Sequence, residues 1–175
     1  MAQVGDASIN AFVLSQENRL SGIVFTLANN ATINFVRARL RDNATANSHQ
    51  VRAAIYSGNT LVASSASRQD IGNTEATYDF TIGYAANAGT YRAVIFGDSG
   101  NTGGDIELYC DFVGGEGVTD DNVFTYPDLP NPADLQVADV RYSMLVDYTE
   151  GGGGGALKPP SDMNGGFSDL TGGMQ

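Results

Sequence analysis
The chain has 175 residues, of which 42% are hydrophobic and 17% charged, and its 9 Lys+Arg against 20 Asp+Glu give a net charge of −11. This length and apolar content fit one domain with a real core, alone or with tails, and do not fit a wholly disordered chain. The acidic balance excludes binding of nucleic acid or of an anionic membrane through bulk charge, while one Cys and one His exclude a zinc knuckle, a disulfide framework and most His-based catalysis.

The first residues, Met1 to Asp6, carry neither a basic n-region nor an apolar h-region, so no signal peptide is expected there. No apolar run approaches the ~20 residues of a membrane helix. The chain is expected to be made in a cytoplasm, with release from a lysed host as one way out. Residues 9–14 and 20–27 read as irregular strands. Val36, Ala38 and Leu40 then alternate with Arg37, Arg39 and Arg41, and Val51, Ala53 and Ile55 with Arg52, Ala54 and Tyr56. Residues 60–65 follow after the turn Ser57-Gly58-Asn59. Tyr78, Phe80 and Ile82 form the next set of period two, then Tyr91, Ala93 and Ile95, and then Ile106, Leu108, Cys110 and Phe112. A last set is Val140, Tyr142, Met144, Val146 and Tyr148. Such alternation sends one set to a core and the other to solvent. About nine short strands separated by Gly/Asn-rich turns predict an all-β, antiparallel sandwich over residues 1–150.

Residues 113–139 break the pattern with Gly114-Gly115-Glu116-Gly117, Asp120-Asp121 and three prolines in 126–132. A connection of that length is expected to cross the surface with a function of its own or to bridge to the last strand at 140–149. A single helical turn is expected at 133–138. Residues 151–175 hold nine glycines and form a Gly-rich C-terminal arm. Two readings stand for it: a floppy tail, or an arm that orders only against a neighbouring subunit, with Phe167, Leu170 and Met174 as apolar anchors. Residues 1–97 carry six acids and seven bases, and residues 98–175 carry fourteen acids and two bases. That asymmetry supports contact between opposite patches of two copies, or serves solubility alone.

Among candidate sites, Arg37, Arg39 and Arg41 share one strand face. They either grip the carboxylates of an acidic neighbour or an acidic glycan, or form a solvated face of ion pairs to Asp79, Glu107 or Asp111. The stretch 98–105, from Asp98 to Asp105, offers hard oxygen ligands for calcium without the order of an EF-hand, and otherwise reads as a hairpin loop. His49 stands alone and Cys110 sits on an apolar strand face, so no catalytic set and no cofactor are expected. Asn30-Ala31-Thr32 and Asn43-Ala44-Thr45 match glycosylation acceptors by coincidence. Tyr56, Tyr109 and Tyr126 lie off the core pattern and could form an exposed platform for sugars, the role Trp most often fills.

The run from Ile33 to Arg41, then Val51 to Asn59 with Leu61 to Ser65, then Thr77 to Ile82 and Ala88 to Phe96, resembles jelly-roll β-sandwich modules. These are the modules of virion proteins of tailed bacteriophages and of extracellular bacterial surface proteins. The resemblance covers under half of the chain and implies a fold and a scaffolding or binding role, with no ligand residue carried over. It implies a structural virion protein, as a capsid decoration or a tail or fibre component, whose partners are copies of itself and other virion proteins. The alternative is a glycan-binding module of an adhesin or receptor-binding protein, located at an extracellular surface. Neither role involves nucleic acid or membrane insertion.

Overall fold
A computed structural model of the chain describes residues 1–151 apart from 10, 16–17, 44–48, 99–104, 113–116, 121 and 123. Fourteen strands appear in chain order: β1 (Ala2–Asp6), β2 (Phe12–Ser15), β3 (Leu20–Leu27), β4 (Ala31–Asp42), β5 (Gln50–Ser57), β6 (Thr60–Ser64) and β7 (Gln69–Asp70). They continue with β8 (Ala76–Ala86), β9 (Gly89–Gly97), β10 (Ile106–Asp111), β11 (Gly117–Asp120), β12 (Gln136–Ala138), β13 (Arg141–Tyr142) and β14 (Met144–Glu150). Every pairing among them is antiparallel, in two sheets of seven strands. The protein is an antiparallel β-sandwich.

The first sheet is built around β4. It pairs with β8 along one side and, along the other, with β14 over its first part and β10 near its end. β1 extends the sheet beyond β14, and β2 extends it beyond β10. The second sheet runs β12–β11–β3–β9–β5–β6, with β7 beside β5. β3 pairs with β9, β4 with β8 and β5 with β6, so the pairings are nested like a long hairpin folded over itself.

Period-two patterning places the main core between the sheets. Ile33, Val36, Ala38 and Leu40 from β4 meet Val51, Ala53 and Ile55 from β5, Ala93 and Ile95 from β9, and Leu108 and Cys110 from β10. Asn34 is an extra residue of β4 relative to β14, and two residues of β8, Ile82 and Gly83, stand against it, with the inward alternation of β4 resuming at Val36. Opposite it, Gly83 of β8 adopts φ +65, a conformation that glycine reaches without strain. Gly22 of β3 marks a close approach between strands, since a Cβ there would lie 1.9 Å from the Ala93 carbonyl oxygen.

The final strand expected at 140–149 is bent in two. Tyr142 and Met144 both face the core, and Ser143 between them bridges two strands. Its amide donates to the Tyr109 carbonyl at 2.8 Å, and its carbonyl accepts from the Arg39 amide at 3.0 Å. The stretch 133–138 is not a helical turn. Residues 136–138 are β12, paired with β11, because Ala133 and Leu135 are drawn in extended form onto the second sheet.

That covering is the main departure from the sequence expectation. Part of the outer face of the second sheet is shielded from solvent. Leu20, Ala54, Tyr56, Val94, Phe96 and Val118 form a second buried cluster there, beneath Phe124, Tyr126, Leu129, Ala133 and Leu135. The proline-rich part of the 113–139 connection therefore straps one face of the sandwich. β5 and β9 are buried on both faces, which simple alternation cannot reveal.

Candidate interaction surface
The strap is fixed by side chains that reach it from the sheet. Tyr56 donates its hydroxyl to the Pro130 carbonyl at 2.8 Å. Arg52 donates to the Pro127 carbonyl at 3.0 Å, and Arg92 to the Leu135 carbonyl at 3.1 Å. Asp120 accepts the Asp134 amide at 2.6 Å, and Asn131 accepts the Leu61 amide at 3.1 Å. Burial pushes the Tyr56 hydroxyl pKa well up.

The three tyrosines proposed as a sugar platform do not form one. Tyr56 is fully buried under the strap, and Tyr109 retains 6% of its exposure beneath the Arg39 guanidinium, 5.4 Å from its ring centre. Tyr126 is half-buried, with its ring 5.3 Å from that of Phe96 and Arg68 over it at 5.8 Å. Burial raises its pKa to about 12, opposed in part by Arg68. Tyr56 and Tyr126 also belong to the second sheet's outer face, while Tyr109 belongs to the first sheet's. The trio cannot converge on one ligand.

The three arginines project from the outer face of β4, as the alternation predicts, but each meets a carboxylate of its own chain. Arg37 makes a two-pronged bond to Asp79, with contacts of 2.5 and 2.6 Å. Arg39 pairs with Glu75 and Arg41 with Glu107. Asp79 raises the pKa of Arg37, and Glu107 that of Arg41. Asp111 pairs instead with Arg141, at 3.3 Å. These contacts leave no free basic stripe for an acidic neighbour. Phe167, Leu170 and Met174, with the arm that carries them, lie outside the described residues.

His49 and Cys110 are both enclosed. The His49 ring nitrogen Nδ1 lies 3.0 Å from an Asp42 carboxylate oxygen, with both side chains almost wholly buried. The Cys110 thiol is buried in the main core, and desolvation pushes its pKa up to about 11. Of the loop read as a calcium candidate, 99–104 lie outside the described residues. Among the described residues no three His, Cys, Asp or Glu side chains converge to hold a metal ion. A cleft of about 500 Å³ opens where β1 leaves β14, lined by Val4, Asp6, Ile23, Arg141, Tyr142 and Met144. Its carboxylate, Asp6, is engaged by the Ser8 hydroxyl at 2.6 Å and the Ser8 amide at 2.8 Å, which lower its pKa.

Among the described residues the surface also includes exposed apolar side chains and strand edges. Phe112, expected in the core, is 55% exposed because β10 ends at Asp111. Its ring instead lies 5.0 Å from that of Phe12, itself 52% exposed, beside Val13 on the edge strand β2. β8 is an edge of eleven residues that pairs, among the described residues, with β4 alone. Its role escaped the sequence reading, which treated it as one more strand. The available signal was composition: 76–86 contain one charge, Asp79, with no Lys and no Pro.

No family model, no curated protein and no solved structure matches this chain.

Proposed function
We propose that the chain is a structural protein of a tailed-bacteriophage particle, a capsid decoration or a tail or fibre component that assembles through its sandwich edges and its C-terminal arm. The observation that carries this reading is the contrast between an enclosed interior and open borders. His49 and Cys110 are buried, while paired phenylalanine rings and a long strand edge face outward. Monomeric proteins usually blunt such borders with charge, proline, a bulge or a covering segment, and of these β8 carries the bulge at Gly83 and the single charge of Asp79. A protein whose neighbours cover its edges needs no more. The arm, rich in glycine with Phe167, Leu170 and Met174 spaced along it, suits a segment that gains order only from a neighbour. Its partners are copies of this chain and other virion proteins.

Deleting 152–175 tests the reading. The truncated chain is expected to melt as a sandwich with an unchanged circular dichroism spectrum and to be lost from purified particles. Truncated chain that enters particles as efficiently as the full chain would refute the arm's part in assembly.

A further inference from the structure
Three features meet at the border formed by β8 of the first sheet and β6 of the second. First, among the described residues β8 pairs with β4 alone, so its other side presents backbone donors and acceptors along about 36 Å, at about 3.3 Å per residue, interrupted by the irregularity at Gly83. Second, the core is not sealed there. Tyr78, Ile82 and Tyr84 from β8, with Val62 and Ala63 from β6, pack against the core yet stay half-exposed. Third, the border is electrically neutral in a chain of net charge −11. Residues 53–67 carry no charge, and in 76–86 the single acid, Asp79, is held by Arg37.

The geometry points to β8 as the contact between two copies of this chain, joined edge to edge and antiparallel across a two-fold axis. A second copy is the occupant that the neutral border fits, because two acidic bodies can approach there without opposing like charges. Antiparallel addition continues the sheet from one copy into the other and satisfies the free backbone groups. Partners in such a ladder face the same side, so inward residues meet inward residues. With the axis at Phe80, Tyr78 faces Ile82 of the second copy and Asp79 faces its Thr81. An axis at Asp79 would set two carboxylates against each other and is disfavoured. The two-fold arrangement uses one patch twice and closes on itself, as most homodimers do.

This contact rests on the assembly reading and names one of its surfaces, but it is tested on the purified full chain without any particle. Failure here therefore leaves particle incorporation standing, and loss of particle incorporation leaves this contact standing. The probe is sedimentation equilibrium of the full chain and of two variants at the exposed residue Thr81. Wild type is expected to be a dimer that dissociates on dilution. Thr81→Asp, which sets new carboxylates against the second copy's Asp79, is expected to raise the dimer dissociation constant at least about tenfold. Thr81→Lys, which faces the same carboxylates with opposite charge, is expected to stay as tight as wild type or tighter. A wild type that remains monomeric at ~0.5 mM, a Thr81→Asp dimer as tight as wild type, or a Thr81→Lys chain that dissociates like Thr81→Asp would each overturn the proposal. Hydrogen exchange of the wild type gives a reading that needs no variant. Amides of 76–86 should gain protection as concentration rises, and protection independent of concentration would overturn the contact.

Discussion

The Tyr56 hydroxyl and the Pro130 carbonyl oxygen lie 2.8 Å apart, and this bond pins the middle of the strap to the second sheet. The ring beneath it joins Phe96 and Leu20 in a cluster that makes β5 and β9 interior strands on both faces. Removing the hydroxyl alone separates the bond from the packing. Tyr56→Phe is expected to cost about 1–2 kcal/mol, since it leaves a carbonyl without its partner. Tyr56→Ala is expected to cost about 3–5 kcal/mol through the cavity it opens. Equilibrium urea unfolding measures both, and a Tyr56→Phe chain as stable as wild type would mean that the strap is not held there.

Burial raises the Cys110 thiol pKa from 9.0 to about 11, so the folded protein keeps that proton at pH values where the unfolded chain has released it. The corresponding stability is complete below about pH 9 and is lost as pH rises toward 11, on the order of 2 kcal/mol. The raised Tyr126 pKa adds to the loss further into the alkaline range. Urea midpoints taken from pH 7 to 11 should fall most steeply above pH 9, and the fall should be shallower in Cys110→Ala. In the native protein at pH 8 the thiol should resist a disulfide reagent until the chain unfolds. Rapid labelling under native conditions would contradict the buried placement.

The contact between His49 and Asp42 is local in sequence and almost sealed from water. Asp42 also accepts the His49 backbone amide at 3.2 Å. Asp42→Ala removes both acceptors and is expected to cost about 2–4 kcal/mol, as a buried network loses its centre. Differential scanning calorimetry would register this as a drop in Tm of many degrees. A change of a degree or two would show that water replaces the carboxylate there.

Arg37, Arg39 and Arg41 should matter little by comparison. Each is partly exposed and paired with a carboxylate of its own chain, and such surface pairs contribute about 0–1 kcal/mol, less in high salt. Single alanine substitutions should lower stability by no more than that, and those at Arg39 and Arg41 should leave association between copies unchanged, whereas Arg37→Ala also frees the Asp79 carboxylate at the β8 edge. Loss of association in Arg39→Ala or Arg41→Ala, with the fold intact, would return these residues to the role of partner contacts.

Sandwich architecture was legible because most core strands are solvated on one side. β4 writes Val36, Ala38 and Leu40 inward and its arginines outward, and the backbone follows. Where a third layer intervenes, alternation misleads. Tyr56 reads as outward on β5 and is outward, yet the strap turns that outside into a second interior. Nothing local to residues 50–57 announces a segment some seventy positions later, although the prolines of 127–132 hinted that the connection was no idle loop. The strands at 2–6, 117–120 and 136–138 were missed for a related reason. They are short, rich in glycine or polar residues, and exist because a partner strand is already in place. As for surfaces, a sequence shows charge but not its partner, so the arginine stripe stood out while the neutral edge of β8 did not.

A repeated building block of a particle reveals itself by its copy number in purified particles. Quantitative mass spectrometry of phage particles from cells that express the chain should find it in many copies per particle, in a fixed ratio to the other virion proteins. A chain that remains in the supernatant, with no more than trace peptides in washed particles, would contradict the account.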